Sequence, residues 1–586
     1  MLDQPIHYGA ATATSSHVLT MRRIWFFTVV GLTIAGLVWL ACIALSPGGF
    51  SVVDFILVVM FAVTLPWVVI GFWNAMIGFL LMRFSPDPVA AVTPAAGRIH
   101  DNEPITASTA ILLCIRNEPP DRTLAFIKPL LEGLVVLGVG NRFHIYVLSD
   151  TSDPAIAAAE DKEIATFAAA WRDKIPITYR RRTNNAGFKA GNIRDFCDRW
   201  GRDHEFAVVL DADSVMMAPA VLRLVRLMQV DPQIGITQSL VIGRPSTSAF
   251  ARVFQFGMRL AMRSYTLGSA WWQGDCGPYW GHNAILRLAP FMAHCELPPL
   301  PDNALIGGHV LSHDQIEAVL MRRAGWEVRV LAEEGESFEQ NPPTLLEFIR
   351  RDLRWCQGNM QYWHFLQLPN IKPVSRYQLG FAILMFIGSP AWIGLLLLGT
   401  AALLSAESPQ DFIRADAAVP ALIIVLVMWF SPKWATVLDV LTRPELRRQF
   451  GGTPLFLLGA LAETIFAQLL APIMWFGHTI FLVRLLIGRT IGWTVQVRSD
   501  HMVPVLIAFR QLWPQTLLGV GSIGVLAATV PEAIPYALFI AAGPLLSVPL
   551  AIVTSLPGVG RAMVRLGICG LPEEISKPAG LAGLPQ

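Results

Sequence analysis

Charge is scarce in this chain. Only 15% of its residues are Asp, Glu, Lys or Arg, against 53% that are hydrophobic, whereas an ordinary soluble domain carries about 25% charged residues. Much of the chain must therefore sit in lipid. The formal net charge of +2 is too small to draw a nucleic acid, and there are no long like-charged runs, heptads or internal repeats, so nucleic acid is not an expected partner. Seven cysteines (Cys42, Cys114, Cys197, Cys276, Cys295, Cys356 and Cys569) are odd in number and never spaced as CxxC. They read as reduced thiols, several of them core fillers. No GxxxxGK[ST] occurs, which leaves a P-loop ATPase unsupported, and no GxGxxG follows a strand pattern, which does the same for a dinucleotide site.

What is there begins with long apolar stretches. Residues 24–45 and 53–82 are each long enough to cross a bilayer, for which about 20 apolar residues suffice, and together they make a membrane unit over residues 22–83. A cleaved signal peptide is the plain alternative for the first, but its apolar run exceeds the usual h-region. "SPGGFSV" between them has no basic residue, while Arg22, Arg23 and Arg83 flank the outer ends. The positive-inside rule then puts a short tail, 1–21, and the end of the second span in the cytoplasm.

A Pro- and Ala-rich linker (84–105) leads to a domain of ordinary polarity, which runs from 106 to 334 and is followed by interfacial helices over 335–376. Apolar spans resume across 377–557, at 377–404, 417–440, 511–530 and 533–556. The stretch 454–487 is too long for one ordinary span and has basic residues on both flanks, so it reads as two short passes bending near Pro472. Eight transmembrane passes result, with a cytoplasmic tail at 558–586. Bacterial inner membrane, multi-pass, with the large domain in the cytoplasm, is the expected location.

Within that domain, apolar runs without alternation recur: "TAILLCI" (109–115), "FHIYVLS" (143–149), "FAVVL" (206–210) and "IGITQS" (234–239). Parallel strands buried on both faces look like this, and in such α/β sheets ligands bind beyond the carboxyl ends of the strands. Polar groups gather there: Arg116, Asn117 and Glu118 after the first run, Asp150 after the second, Asp211 and Asp213 after the third. Two carboxylates two residues apart on a strand point the same way and repel unless a cation lies between them. With no His or Cys beside them, they offer hard oxygens suited to Mg²⁺ or Mn²⁺, which usually also take oxygens from a substrate diphosphate. A surface turn is the plain alternative for a lone DxD. "NNAGFKAGNIRDF" (184–196) opens a helix and reads either as a plain helix start or as a loop bringing backbone amides and Lys189 to a phosphate or sugar.

Taken together, "YVLSD", "FKAGN", "LDADSVM", "YWGHNAILR", "LSHDQIEAVLMRRAGW" and "RDLRWCQGN" resemble the membrane-embedded, processive family 2 glycosyltransferases. Among these they are most similar to the synthases of the backbone of osmoregulated periplasmic glucans. The resemblance runs from residue 22 to about 565. It implies an α/β GT-A (Rossmann-like) cytoplasmic catalytic domain inserted in a polytopic α-helical membrane protein, an inverting mechanism, UDP-glucose as donor and a growing, β-1,2-linked glucan chain as acceptor. It also implies that the chain is moved across the inner membrane. Membrane lipid, a periplasmic glucan-processing protein and an acyl carrier protein are the further partners it brings to mind.

The resemblance assigns residues as well. Arg116, Asn117, Glu118 and Asp150 would hold the uridine, and Lys189, Asp211 and Asp213 would meet UDP and its metal. Gly281, His282 and Asn283 would line the sugar pocket, and "RDLRW" would place Arg351 and Arg354 on the diphosphate and Trp355 against the acceptor sugar. Asp314 would be the catalytic base. Each has a plainer reading: a basic helix face for the arginines, a packed tryptophan, a buried aromatic loop, a helix cap for Asp314. Related synthases have "TED" where this chain has "SHD", so only Asp314 carries over. His309 and His313 are spaced as a zinc pair but lack a third soft ligand. Two rivals stay open: a synthase of another β-glycan such as cellulose, and a polysaccharide transporter whose cytoplasmic domain only senses nucleotide sugars.

Overall fold

A computed structural model describes residues 16–47, 49–301, 306–491 and 497–584; residues 1–15 of the expected tail lie outside them. Two long helices come first, α1 (Ser16–Ala44) and α2 (Val52–Phe84). Ser51 and Asp54 close a capping box at the start of α2 and so satisfy backbone donors that would otherwise be left bare at a helix end.

Eight strands follow in one sheet: β1 (Thr109–Ile115), β2 (Phe143–Ser149), β3 (Ile177–Arg181), β4 (Phe206–Asp211), β5 (Val215–Met216), β6 (Ile234–Gly243), β7 (Ala284–Arg287) and β8 (Glu327–Glu339), in the order β3-β2-β1-β4-β7-β6-β8-β5. The four apolar runs are all strands, and β1, β2, β3 and β4 pair in parallel. The sheet as a whole is mixed, because β7 is wedged antiparallel between β4 and β6. The runs do not alternate because both faces are covered: Ala110 and Leu112 of β1 enter one apolar cluster while Ile111, Leu113 and Ile115 enter another.

Four helices of the domain position the site: α3 (Phe188–Trp200), α4 (Ala249–Gln273), α5 (Asp314–Arg323) and α6 (Leu345–Met360). Helix α4 binds the domain to the membrane unit. Gly78 of α2 and Gly268 of α4 let the two backbones nearly touch, since a Cβ on Gly78 would come 1.8 Å from the Ser264 carbonyl and one on Gly268 1.8 Å from that of Asn74. Alanine at either would push the helices apart.

The second membrane region holds α7 (Pro373–Ser405), α8 (Ala415–Thr442), α9 (Thr453–Leu486), α10 (Val505–Thr529), α11 (Ile534–Leu545) and α12 (Ser547–Ser555). Among the described residues, six helices are long and apolar enough to span a bilayer, or seven if the pair Pro531–Leu545 and Ser547–Ser555, bent by 52°, counts as one span. The expected eight passes are therefore corrected, and the reason is α9. It does not turn back at Pro472; it runs on as one helix with that proline inside.

Both ends of α9 meet the same side of the molecule. Near its start Phe456 packs on Phe256 of α4, and beyond its end the Ile491 N–H donates to Gln357 of α6 at 2.7 Å. Three of its polar residues reach neighbouring elements: Glu463 pairs with Lys433 at 2.6 Å, Gln468 donates to the Phe539 carbonyl, and His478 contacts both Ser389 and Asp352. The two ends of α9 thus contact helices of the sheet-bearing domain, while its middle packs on Ser389 and Trp392 of α7 and on Phe539 of α11. Cysteines introduced at Gln449 and Arg489 are accordingly expected to react with an impermeant maleimide from the same side as one at Asp87, and one at Gln410 from the other side. Labelling of Gln449 and Arg489 from opposite sides would make α9 a span.

After α12 the chain returns to the domain that holds the sheet. Arg252 of α4 grips Glu574 at 2.5 and 2.8 Å and the Ile568 carbonyl at 2.7 Å, and Arg259 grips Glu573 at 2.8 and 3.0 Å. Leu581 then packs among Phe126, Val215 and Met217, beside the strand that follows Asp213.

Candidate active site

Strand register brings the sequence-predicted carboxylates together. Ile115 pairs with Ser149 and Cys114 with Asp211, so the residues just beyond β1, β2 and β4 share the carboxyl edge of the sheet. The cations between Asp211 and Asp213 are two side chains. The Lys189 ammonium, delivered by the first turn of α3, donates to Asp211 and to the Gly281 carbonyl at 2.8 Å. Arg498 contacts Asp213 and lies 3.7 Å from Glu118.

Each pairing has an electrostatic signature. Burial opposes ionisation of Asp211, but Lys189 and His282 outweigh it and hold its carboxyl below the usual range. Burial likewise disfavours the charge on Arg498, and Asp213 with Glu118 more than restores it. Glu118 goes the other way: burial pushes it up to about 7, although Arg498 and the Arg116 N–H both favour its charge.

The expected uridine residues are present but already partnered. Asp150 takes a two-pronged grip from Arg182 at 2.6 and 2.8 Å, and that guanidinium also reaches the carbonyls of Ala186 and Phe188. Arg182 thus ties the β2 end to the loop before α3. Asn117 sits at a positive φ of 57° and accepts the N–H groups of Ser152 and Asp153 through its side chain, which locks the β1 and β2 ends together. Arg116 lies over the Phe188 ring at 5.9 Å.

The aromatic loop after α4 divides in its roles. Gly281 has φ +82°, and a Cβ there would stand 3.2 Å from the Asp314 Cβ, so the glycine lets the loop lie against Asp314. His282 faces Glu339 at 3.6 Å. Asn283 departs from the expected sugar contact: it is fully buried and donates to Ser337 and to the Phe338 carbonyl, which makes it a brace for the loop. Asp314 occupies the first turn of α5, but the cap position falls on His313, which makes no side-chain cap.

Helix α6 places "RDLRW" under the site. Thr344 caps it and starts it at Leu345, which puts Arg351 and Arg354 on one face. Arg351 lies 4.6 Å over Trp355 and 5.8 Å over Phe348. Burial lowers Arg354 to about 10 while Asp211, the first of its charged neighbours, works against that, so the guanidinium stays charged at neutral pH within electrostatic reach of Asp211. Trp355 is 43% exposed, and no other large aromatic of the helix is. Gly358 admits the Ser312 hydroxyl, which a Cβ would meet at 2.2 Å, so the helix of the arginines directly supports the turn before Asp314.

A mixed α/β sheet with Asp-x-Asp at its carboxyl edge, RxxRW on an adjoining helix and apolar helices on either side define a membrane-embedded glycosyltransferase with a GT-A-like domain. The family described as Glycosyl transferase family 2 matches residues 110–294, and Glycosyl transferase family group 2 matches 206–438. "Glucans biosynthesis glucosyltransferase H" of Vibrio cholerae serotype O1 is 34% identical over 91% of this chain and 74% of its own length; its namesake in Pseudomonas putida is 34% identical over 90% and 63%. The chain belongs to the glucans biosynthesis glucosyltransferase H family. A solved structure, "Mannosyltransferase PcManGT from Pyrobaculum calidifontis in complex with GDP-Man and Mn2+", covers 63% of this chain and 99% of its own at 16% identity and a TM-score of 0.37, a likeness too loose to argue from.

The donor set at β4 suits the divalent ion that the sequence suggested. Asp211 and Asp213 supply hard oxygens, and among the described residues no cluster of three His, Cys, Asp or Glu forms a metal cage. Mg²⁺ or Mn²⁺ held by these two carboxylates would take its other ligands from water and from a diphosphate.

Proposed function

We propose that this protein is a processive, inverting glucosyltransferase that takes glucose from UDP-glucose, extends a β-1,2-linked glucan backbone and moves it across the inner membrane for osmoregulated periplasmic glucans. The observation that carries the reading is the convergence of Asp314, through Gly281, on the Lys189–Asp211 pair: a carboxylate free of capping duty stands beside the groups suited to a diphosphate. A domain that only senses nucleotide sugars has no use for such a group. Asp211, Asp213 and a bound Mg²⁺ or Mn²⁺ would hold the diphosphate and offset its charge as it leaves. Lys189 and Arg354 would add fixed positive charge, and Asp314 would take the proton of the acceptor hydroxyl.

The test is the purified protein with UDP-glucose and Mg²⁺ or Mn²⁺, followed by linkage analysis of the product. A 1,4-linked polymer would shift the reading to a cellulose-like synthase, and no polymer with any nucleotide sugar would favour a transporter. Within this reading Arg354→Ala and Trp355→Ala keep their helix, because α6 is anchored at its first turn through Leu345, Leu346 and Phe348. Each is expected to fold and enter the membrane yet lose polymer synthesis by on the order of tenfold or more, since the contacts removed belong to donor and acceptor. Wild-type yield from either variant would refute its role.

A further inference from the structure

One residue inside the RxxRW motif has a partner that the reaction as described does not use. Asp352 stands between Arg351 and Arg354, and its carboxylate accepts from Nε2 of His478, which α9 brings. The other ring nitrogen, Nδ1, lies 3.0 Å from the Ser389 hydroxyl of α7. Phe386, one turn before Ser389, sets its ring edge-on against the imidazole with centroids 4.9 Å apart. Three helices thus meet at one imidazole, which is 8% exposed. An ionised carboxylate only accepts, so the ring donates through Nε2 and, in its neutral form, takes the Ser389 hydroxyl at Nδ1. The trio has the members of a hydrolytic triad without its use, because Ser389 is 1% exposed within α7 and open to no substrate.

A polar trio among apolar helices stabilises little that apolar side chains would not, because each group gives up water to make its bond. What it adds is direction, since a satisfied buried network specifies one arrangement. Direction matters most for Trp355. It follows Asp352 by three residues and so neighbours it on the helix surface, and at 43% exposure much of its ring has no packing of its own. Arg351 lies over that ring but belongs to the same helix. The orientation of Trp355 is therefore set by the turn that carries it, and Asp352 ties that turn to α7 and α9. A second tie follows at Gln357, which accepts the Ile491 N–H at 2.7 Å, about 7.5 Å further along the helix axis. One tie would let the helix swing about it; two hold its rotation.

We infer that His478 is a positioning residue for Trp355: by holding Asp352 against α7 and α9 it sets the turn of α6 that presents the indole to the acceptor sugar. This rests on the proposed reading of Trp355 as the acceptor contact. The long Arg354 side chain can follow a shifted turn by changing rotamer, whereas the rigid indole cannot, so loss of the tie falls on the acceptor and spares the donor.

The experiment measures kcat and KM for UDP-glucose on the full-length protein in lipid nanodiscs. Glutamine places its amide nitrogen where Nε2 stands, and asparagine where Nδ1 stands. His478→Gln therefore keeps the bond to Asp352 and is expected within about threefold of the wild-type kcat, while His478→Asn keeps only Ser389 and is expected to lose about tenfold, with KM within about twofold in both. In a Trp355→Ala background, already slower, adding His478→Asn is expected to cost less than about threefold more, because the residue through which it acts is gone. Equal rates in the Gln and Asn variants, a loss carried by KM, or losses that multiply in the double variant would overturn the inference; a histidine kept only for stability gives the last of these. If Trp355→Ala works at the wild-type rate, the reading of Trp355 itself fails. If it loses synthesis while His478→Asn does not, only the positioning role fails. Should His478→Asn not fold, Asp352→Leu cuts the same tie from the other end, and the same comparison with Trp355→Ala decides.

Discussion

Asp314→Asn is expected to fold, to bind UDP-glucose with near-normal affinity and to transfer glucose at least about a hundredfold more slowly, the usual contribution of a general base. Asparagine is the informative substitute. It matches the carboxylate in shape and is nearly as good at a helix N-terminus, so a residue present only for structure would tolerate it. An amide cannot take a proton from a sugar hydroxyl. The packing supports a clean result, because Asp314 lies against Gly281 through its Cβ, which the substitution leaves untouched. Donor affinity by calorimetry and initial rates of polymer formation are the two measurements, and a rate within a few-fold of wild type would place the base elsewhere.

The second large effect concerns the carboxylate pair. Asp211→Ala and Asp213→Ala are each expected to abolish transfer and to strip UDP binding of its dependence on Mg²⁺ or Mn²⁺. Removing Asp211 leaves the Lys189 ammonium with the Gly281 carbonyl, and removing Asp213 leaves Arg498 with Glu118 alone. Metal-free binding of UDP to these cations can survive and can even strengthen, so loss of metal response, not of binding, is the signature. Full activity of the unaltered protein in EDTA would sink the assignment.

The apolar strands were legible because burial on both faces writes itself as a run, as in "TAILLCI" and "FAVVL". The membrane helices α1, α2, α7, α8 and α10 were legible for the same reason, from length and composition. Strand β7 was not, being four residues set by its neighbours β4 and β6 and not by its own sequence. Helix α9 misled because its length and its inner proline suggested a break near Pro472, whereas the helix runs on through that residue and its partners at Glu463, His478 and Ile491 lie on other elements of the chain.

At the site, Asp211, Asp213, Lys189 and Asp314 could be singled out because each sits in a motif. Arg182 and Arg498 could not, since nothing beside them in sequence marks them. Arg498 is simply one of the basic residues after 454–487, and it reaches Asp213 only because the chain returns from the membrane region to the edge of β4. Asn283 shows the reverse error: an amide in a sugar-like loop, occupied entirely with holding that loop.

The return of the chain across α4 sets an order on how the molecule can be made. Arg252 and Arg259 emerge from the ribosome with the catalytic domain, whereas Glu573 and Glu574 are translated only after every membrane helix described here. Until then Arg252, which ends up buried, lacks its carboxylate partner and Arg259 has only Glu334 of the domain, and a buried charge without its partner is strongly unfavourable. The catalytic domain can thus form its sheet and meet α2 early, but the clasp of the segment after α12 on α4 closes late. A ribosome stalled anywhere in the membrane region would leave a domain folded and resting on α2 but without the clasp of Glu573 and Glu574 over α4.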